Sequence, residues 1–349
     1  MMREMATRLA SYLGVFLLVV ASAELTSRVE DRLRVGTDLL AVPDHDRDLI
    51  LHDELGIRGR PNGRFKRWHL NSFGFRSPPI GEQPSKGCTR IVVLGASETF
   101  GLYESPEKEY PAQLSSLLNS GGCYEVVNAA VVGLTVRGII TLWQNWVARF
   151  SPAIVVVYPT PAFYLANSAP GYPGPAAQST DAPWWTLRLL ERAKDVFDFP
   201  DFIQRRRISR ALAAATDHPP GWAFDTVPVD RLRQFEEDLD RLTELIRQSG
   251  ARPVLVTHAT AFSRPPGAED EDDLMALRLR VPKATVPVLL EFETLTAEAT
   301  ARVAARRNAA LVDAASVMNG HRGWFAEDSV HFNDAGAGTL ARLIANALQ

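Results

Sequence analysis

Ile91–Gly101 reads I-V-V-L-G-A-S-E-T-F-G. Its first four residues, Ile91 to Leu94, are apolar and mostly β-branched, the pattern of a short buried strand. Gly95 ends that run, and Ala96 and Ser97 begin a turn in which small residues let the backbone bend sharply. In open α/β sheets ligands bind beyond the carboxyl ends of the strands. Ser97 is therefore a candidate nucleophile, and Glu98 beside it a candidate substrate contact.

A serine at such a turn is inert until a base takes its proton. The tail of the chain offers one in Asp328-Ser329-Val330-His331, followed by Phe332-Asn333-Asp334-Ala335-Gly336 and a final apolar helix. An Asp and a His three apart on one loop read as orienter and base. With G-A-S-E near Ser97, N-A-A-V-V-G over Asn128–Gly133 and D-S-V-H at Asp328–His331, the chain resembles the SGNH (GDSL-type) hydrolases. The resemblance runs from about Arg90 to the C-terminus.

The resemblance implies a three-layer α/β/α sandwich on a five-stranded parallel sheet with flavodoxin-like strand order. It implies that Ser97 attacks an ester carbonyl, that His331 moves the proton and that Asp328 fixes the imidazole. The oxyanion donors would be the backbone N–H groups of Ser97 and Gly133. The family's third donor is an asparagine in a G-x-N-D motif after the third strand. Here Ile154–Tyr158 runs instead into Pro159-Thr160-Pro161, with no asparagine before Asn167. Thr160 is the candidate substitute. Losing one oxyanion donor typically costs ~10²–10³ in rate. The altered site suits a slow, specific esterase, and equally an acyltransferase in which a sugar hydroxyl resolves the acyl-enzyme.

From Arg90 onward strands and helices alternate. Strands are predicted at Arg90–Leu94, Glu125–Asn128, Ala153–Tyr158, Pro253–Thr257 and Ala309–Val312. Helices are predicted at Pro111–Asn119, Val136–Phe150, Val229–Gln248, Val286–Arg307 and Ala335–Leu348. Such alternation implies a parallel sheet covered on both faces. Residues 159–228 interrupt it for longer than an ordinary connection, with Trp184–Phe197 and Phe202–Ala215 as helical pieces. The aromatic residues there (Phe163, Tyr164, Tyr172, Trp184, Trp185, Trp222) either line a sugar or acyl groove, with Tyr164 the candidate contact, or pack a satellite core. His258, ending the fourth strand, reads as structural or substrate-side because no carboxylate adjoins it in sequence. The acidic run Glu269–Asp273 reads as a solvated turn.

The N-terminus differs in character. Arg3 and Arg8 precede Leu9–Ala23, an uncharged apolar run. It fits a signal peptide, with Ala21-Ser22-Ala23 as a cleavage site, or a short membrane anchor; a buried core helix is the third reading. The first two place the catalytic part outside the cytoplasm. Cys88 and Cys123 are the only cysteines. They lie just before two predicted strands, so a disulfide is expected if those strands are neighbours. Residues 28–87 read as an irregular connecting region, 1–27 as the leader or anchor and 88–349 as the hydrolase-like domain. Within the connection, Asn71-Ser72-Phe73-Gly74-Phe75-Arg76 resembles an N-x-x-G-F-R element of anchored family members. It reads as a tight turn with Gly74 at positive φ, or as ligand-facing through Asn71 or Arg76.

The chain has 349 residues, 46% hydrophobic and 23% charged, with a formal net charge of -3. That balance suits one large globular unit and argues against a nucleic-acid partner. The histidines lack metal-ligand spacing, and no P-loop, G-x-G-x-x-G or C-x-x-C occurs, so no cofactor or metal is expected. The expected partners are an acylated carbohydrate or polysaccharide and the membrane. Three functions follow: an exported esterase removing acyl groups, acetyl first; a polysaccharide O-acyltransferase on the same scaffold; or a weakened carbohydrate-binding or assembly protein.

Overall fold

A computed structural model describes residues 2–35, 39–40, 48–65, 67–165, 223–267, 270, 274, 277, 281 and 283–348. The expected helices at Trp184–Phe197 and Phe202–Ala215 lie outside these residues, as do Tyr172, Trp184, Trp185 and Trp222.

The first element is a single helix, α1 (Met2–Val35). Within it Arg8–Glu30 is long and apolar enough to cross a membrane. Leu9, Leu13, Phe16, Leu17 and Val19 lie exposed along it, whereas Glu24 and Ser27 are buried. The connecting region is not irregular. It forms two small antiparallel hairpins, β1 (Ile50–Asp53) with β2 (Gly56–Gly59), and β3 (Arg64–Phe65) with β4 (Trp68–His69). Strands of four and two residues are too short to display a period, which is why the sequence reading missed them. Arg64 of β3 pairs with Glu30 of α1 at 2.9 Å, tying helix and hairpin together.

The main sheet contains β5 (Thr89–Gly95), β6 (Tyr124–Asn128), β7 (Ile154–Tyr158), β8 (Arg252–Val256) and β9 (Ala310–Val312). All its pairings are parallel, in the order β6-β5-β7-β8-β9. This is the 2-1-3-4-5 flavodoxin-like order. Side chains alternate between the two faces, as strand geometry requires. Val92, Leu94, Val155, Val157 and Leu255 join one apolar cluster. Ile91, Val93, Val156, Tyr158, Val254 and Val256 join the other.

Five long elements cover these faces. A one-turn helix α2 (Ser97–Phe100) leaves β5, followed by α3 (Tyr110–Leu118) and then α4 (Val136–Leu142). The predicted helix Val136–Phe150 keeps its span, but its second half is a π turn and a 3₁₀ turn. Helices α5 (Val229–Gln248) and α6 (Val286–Arg307) join α4 on the first face. A short helix α7 (Ala314–Met318) and the last helix α8 (Asp334–Leu348) follow. Helices α3 and α8 cover the second face. With a layer on each side, the central strands β5 and β7 are buried along nearly their whole length, as a parallel sheet demands.

Cys88 and Cys123 are disulfide-bonded, with Cα atoms 4.6 Å apart and a sequence separation of 35. They sit where β5 and β6 begin side by side, Thr89 opposite Tyr124. Beside them Arg90 is buried yet fully engaged, pairing with Glu125 and donating to the carbonyls of Glu82, Gln83 and Phe150. Closing a loop of this length restricts the unfolded chain by an amount worth about 2–4 kcal/mol. Replacing both cysteines by serine is expected to lower the unfolding free energy by that order in a urea titration; an unchanged midpoint would contradict it.

Candidate active site

Four strand ends converge on Ser97. β5 ends at Gly95, where an added Cβ would lie 2.0 Å from Thr99 Oγ1 and 2.9 Å from the Tyr158 carbonyl. Only glycine fits that approach, and it lets the chain turn straight into α2 with Ser97 as its first residue. The exit of β6 is pinned alongside. Ala129 N–H donates to the Val93 carbonyl at 3.0 Å and Val131 N–H to the Gly95 carbonyl at 3.3 Å. Asn128, buried, donates from Nδ2 to the Thr99 carbonyl at 2.9 Å and accepts from Ala130 N–H at 3.1 Å. This loop ends at Gly133 with φ +82, a left-handed conformation suited to glycine.

Asp328 and His331 come from the loop before α8. His331 Nδ1 lies 2.5 Å from Asp328 Oδ2, while Asp328 Oδ1 accepts from the N–H groups of Val330 and His331. The carboxylate thus fixes both the loop and the ring. With Nδ1 donating to Asp328, Nε2 is left as the basic nitrogen. The loop is held in place by Ala261 N–H donating to the Ser329 carbonyl at 2.9 Å. The Tyr103 ring lies 5.0 Å from the imidazole. His331 is close enough to Glu98, next to the serine, to help lower that carboxyl's pKa.

The parallel sheet and its strand order agree with what the resemblance implies. The chain has an α/β fold like that of the SGNH hydrolases.

Comparison with solved structures returns several alignments at low sequence identity. TesA aligns with a TM-score of 0.46 and 16% identity over 75% of this chain and 98% of its own. A catalytic mutant of Axe2, an acetylxylan esterase from Geobacillus stearothermophilus, aligns at 0.44 and 16% over 74% and 94%. A lipolytic protein of the G-D-S-L family from Desulfitobacterium hafniense DCB-2 aligns at 0.42 and 15% over 74% and 99%. No protein-family model and no curated protein matches the sequence.

Several expected contacts fall elsewhere. Thr160 is buried at the exit of β7, but its hydroxyl donates to Glu98 Oε2 at 2.9 Å and so is engaged with a carboxylate. Tyr164 faces the core, not a ligand: its hydroxyl donates to Asp238 of α5 at 2.8 Å, and its ring stands edge-on to Phe235. Asn71 is folded into its own turn, its Oδ1 accepting from the N–H groups of Phe73 and Phe75. Gly74 has φ +85, as the turn reading requires. Arg76 is a brace. It donates to the carbonyls of Phe100 and Gly101 and pairs with Glu109 at 3.0 Å. Trp68 and Arg67 hold the same stretch through the Gly101 and Leu102 carbonyls. The N-terminal hairpin therefore supports the segment that follows the nucleophile.

Glu98 and His258 are corrected too. Both are buried and face each other, with His258 Nε2 3.6 Å from Glu98 Oε1. His258 Nδ1 lies 2.8 Å from Glu293 Oε2. The histidine that has no carboxylate beside it in sequence therefore has two in space. Burial alone would lower His258, but Glu293 and Glu98 raise it to about 10. Burial alone would raise Glu98, but His258, with His331, brings it down to about 2. Glu293 was missed, although its position on the buried stripe of α6 with Leu289, Phe292 and Thr296 marks it in hindsight. Asp270, expected in a solvated turn, is buried and pairs with Arg322 at 2.5 Å. Among the described residues, no group of three or more His, Cys, Asp or Glu is placed to hold a metal ion.

Glu104 was also missed. It is buried near Arg76 and His331, and burial raises its carboxyl from 4.5 to about 7. An acid whose pKa is raised by folding stabilises the fold below its unfolded value, and that contribution is lost as pH rises through the folded value. Glu104 should therefore cost stability as pH rises from 4.5 toward 7. Glu104→Gln is expected to flatten the fall in unfolding free energy between pH 4.5 and about pH 7. A slope unchanged from the wild type would contradict it.

Proposed function

We propose that the chain is a serine esterase of SGNH type that removes acyl groups, acetyl first, from a carbohydrate or polysaccharide outside the cytoplasm. One observation carries the reading: Asp328 holds His331 at 2.5 Å in a loop packed against the strand ends that present Ser97.

In the reaction so proposed, Ser97 Oγ attacks the ester carbonyl carbon and its proton passes to His331 Nε2. Asp328 stabilises the imidazolium that forms. The oxyanion is met by the N–H of Ser97, in the first turn of α2 where backbone donors lack intrahelical partners, and by that of Gly133. Collapse expels the alcohol, which takes the proton from His331. Water, activated by the same histidine, then frees the acid and restores Ser97.

The exposed apolar stretch of α1 and the disulfide support an exported, membrane-held enzyme. Acetylxylan esterase activity, stated for Axe2, supports a carbohydrate ester as substrate. An acyltransferase is the second reading. It is favoured by Thr160, whose hydroxyl is given to Glu98 where the family supplies an asparagine donor.

Turnover of p-nitrophenyl acetate by the wild type is expected to fall to background in Ser97→Ala and His331→Ala. Asp328→Asn should lower it by about 10⁴-fold, as loss of the orienting carboxylate does in serine hydrolases. Equal rates in wild type and Ser97→Ala would overturn the reading. Transfer of acetyl to an added oligosaccharide in preference to water would favour the second.

A further inference from the structure

Four buried side chains form a line that ends on the nucleophile. Ser97 Oγ donates to Glu98 Oε2 at 3.2 Å, Glu98 Oε1 faces His258 Nε2 at 3.6 Å, and His258 Nδ1 meets Glu293 Oε2 at 2.8 Å. None of the four is more than 6% exposed. They come from the exit of β5, the exit of β8 and the middle of α6, and Thr160 adds a contact from the exit of β7.

We propose that Glu98, held by His258 and Glu293, is a positioning residue for Ser97 and fixes the position of the nucleophile's oxygen. The inference rests on the esterase reading and adds to it how the serine is aimed.

Geometry makes the case first. Glu98 Oε2 accepts two hydroxyls, from Ser97 and Thr160, and Oε1 is turned to His258. The carboxylate is thus held from three sides. A hydroxyl bonded to a fixed acceptor is itself fixed about χ1. Such restraint matters because small misplacements of a reacting atom are costly in rate.

Electrostatics makes the case second. A lone carboxylate buried here would take up a proton and lose its strength as an acceptor. The cationic His258 prevents that, and Glu293 keeps His258 cationic. Beyond Glu293 the charge of Arg264 acts on the pair, and the Tyr158 ring packs on His258 at 5.5 Å. Being so weak a base, Glu98 does not remove the Ser97 proton. It holds Ser97 Oγ in place; for reaction the hydroxyl hydrogen swings from Glu98 to His331 Nε2, which takes the proton. A scaffold needs no such line, since apolar residues of the same volume commonly stabilise a core as well as a buried ion pair does. Here the line terminates on the reacting atom.

The test is the rate at which a fluorophosphonate probe labels Ser97 in the full chain, with kcat and KM for p-nitrophenyl acetate alongside. Glu98→Gln removes the charge and lets an amide N–H face the serine. It is expected to lower labelling and kcat by about 10- to 100-fold with KM within about twofold. Glu293→Gln touches neither Ser97 nor substrate and should lower both in the same direction by about threefold or more. A folded Glu98→Gln protein that labels at the wild-type rate overturns the inference. If Glu98→Gln does not fold, wild-type labelling by Glu293→Gln overturns it instead. Failure of the wild type to label counts against the esterase reading, and the inference falls with it.

Discussion

Strand β5 is hydrogen-bonded on both edges, to β6 and to β7. A chain leaving the middle of a parallel sheet must turn sharply out of it, and at Gly95 it does so with no room for a side chain. The turn sets everything built around it. It puts Ser97 and Glu98 at the sheet's carboxyl edge, brings the exits of β6 and β7 beside them, and leaves one open side for the His331 loop. The braces from Arg67, Trp68 and Arg76 hold the next three carbonyls in place. They explain why an N-terminal region without long elements is packed against the catalytic unit.

The same crowding buries the site, and burial magnifies charge. Three acidic groups close to the nucleophile respond differently. Asp328 is consumed by His331 and two backbone donors, so it orients. Glu98 is kept ionised by His258. Glu104 has only weak compensation, and burial brings it near neutrality. These are three roles for one kind of functional group, decided by what each carboxyl touches.

The main sheet was legible because its strands are continuous apolar runs and its helices carry a clear period; α5 and α6 match their predicted bounds, Val229–Gln248 and Val286–Arg307. The pairing of Asp328 with His331 was legible because its motif is local. What escaped depends on contacts distant in sequence. Nothing near His258 announces Glu293, 35 residues on. Asn71 and Arg76 looked like ligand contacts because a polar side chain in a loop reads the same whether it bonds substrate or backbone. Tyr164 was an aromatic beside the site by sequence, but Asp238 on the buried side of α5 draws its hydroxyl inward. The two hairpins were too short for any period to show.

The most direct test of the central claim is to trap the acyl-enzyme. Protein mixed with excess p-nitrophenyl acetate, quenched in acid within the first turnovers, would be digested and its peptides weighed. The account predicts an acetyl group on the peptide that contains Ser97, absent from Ser97→Ala. No adduct, or an adduct on another residue, would contradict it.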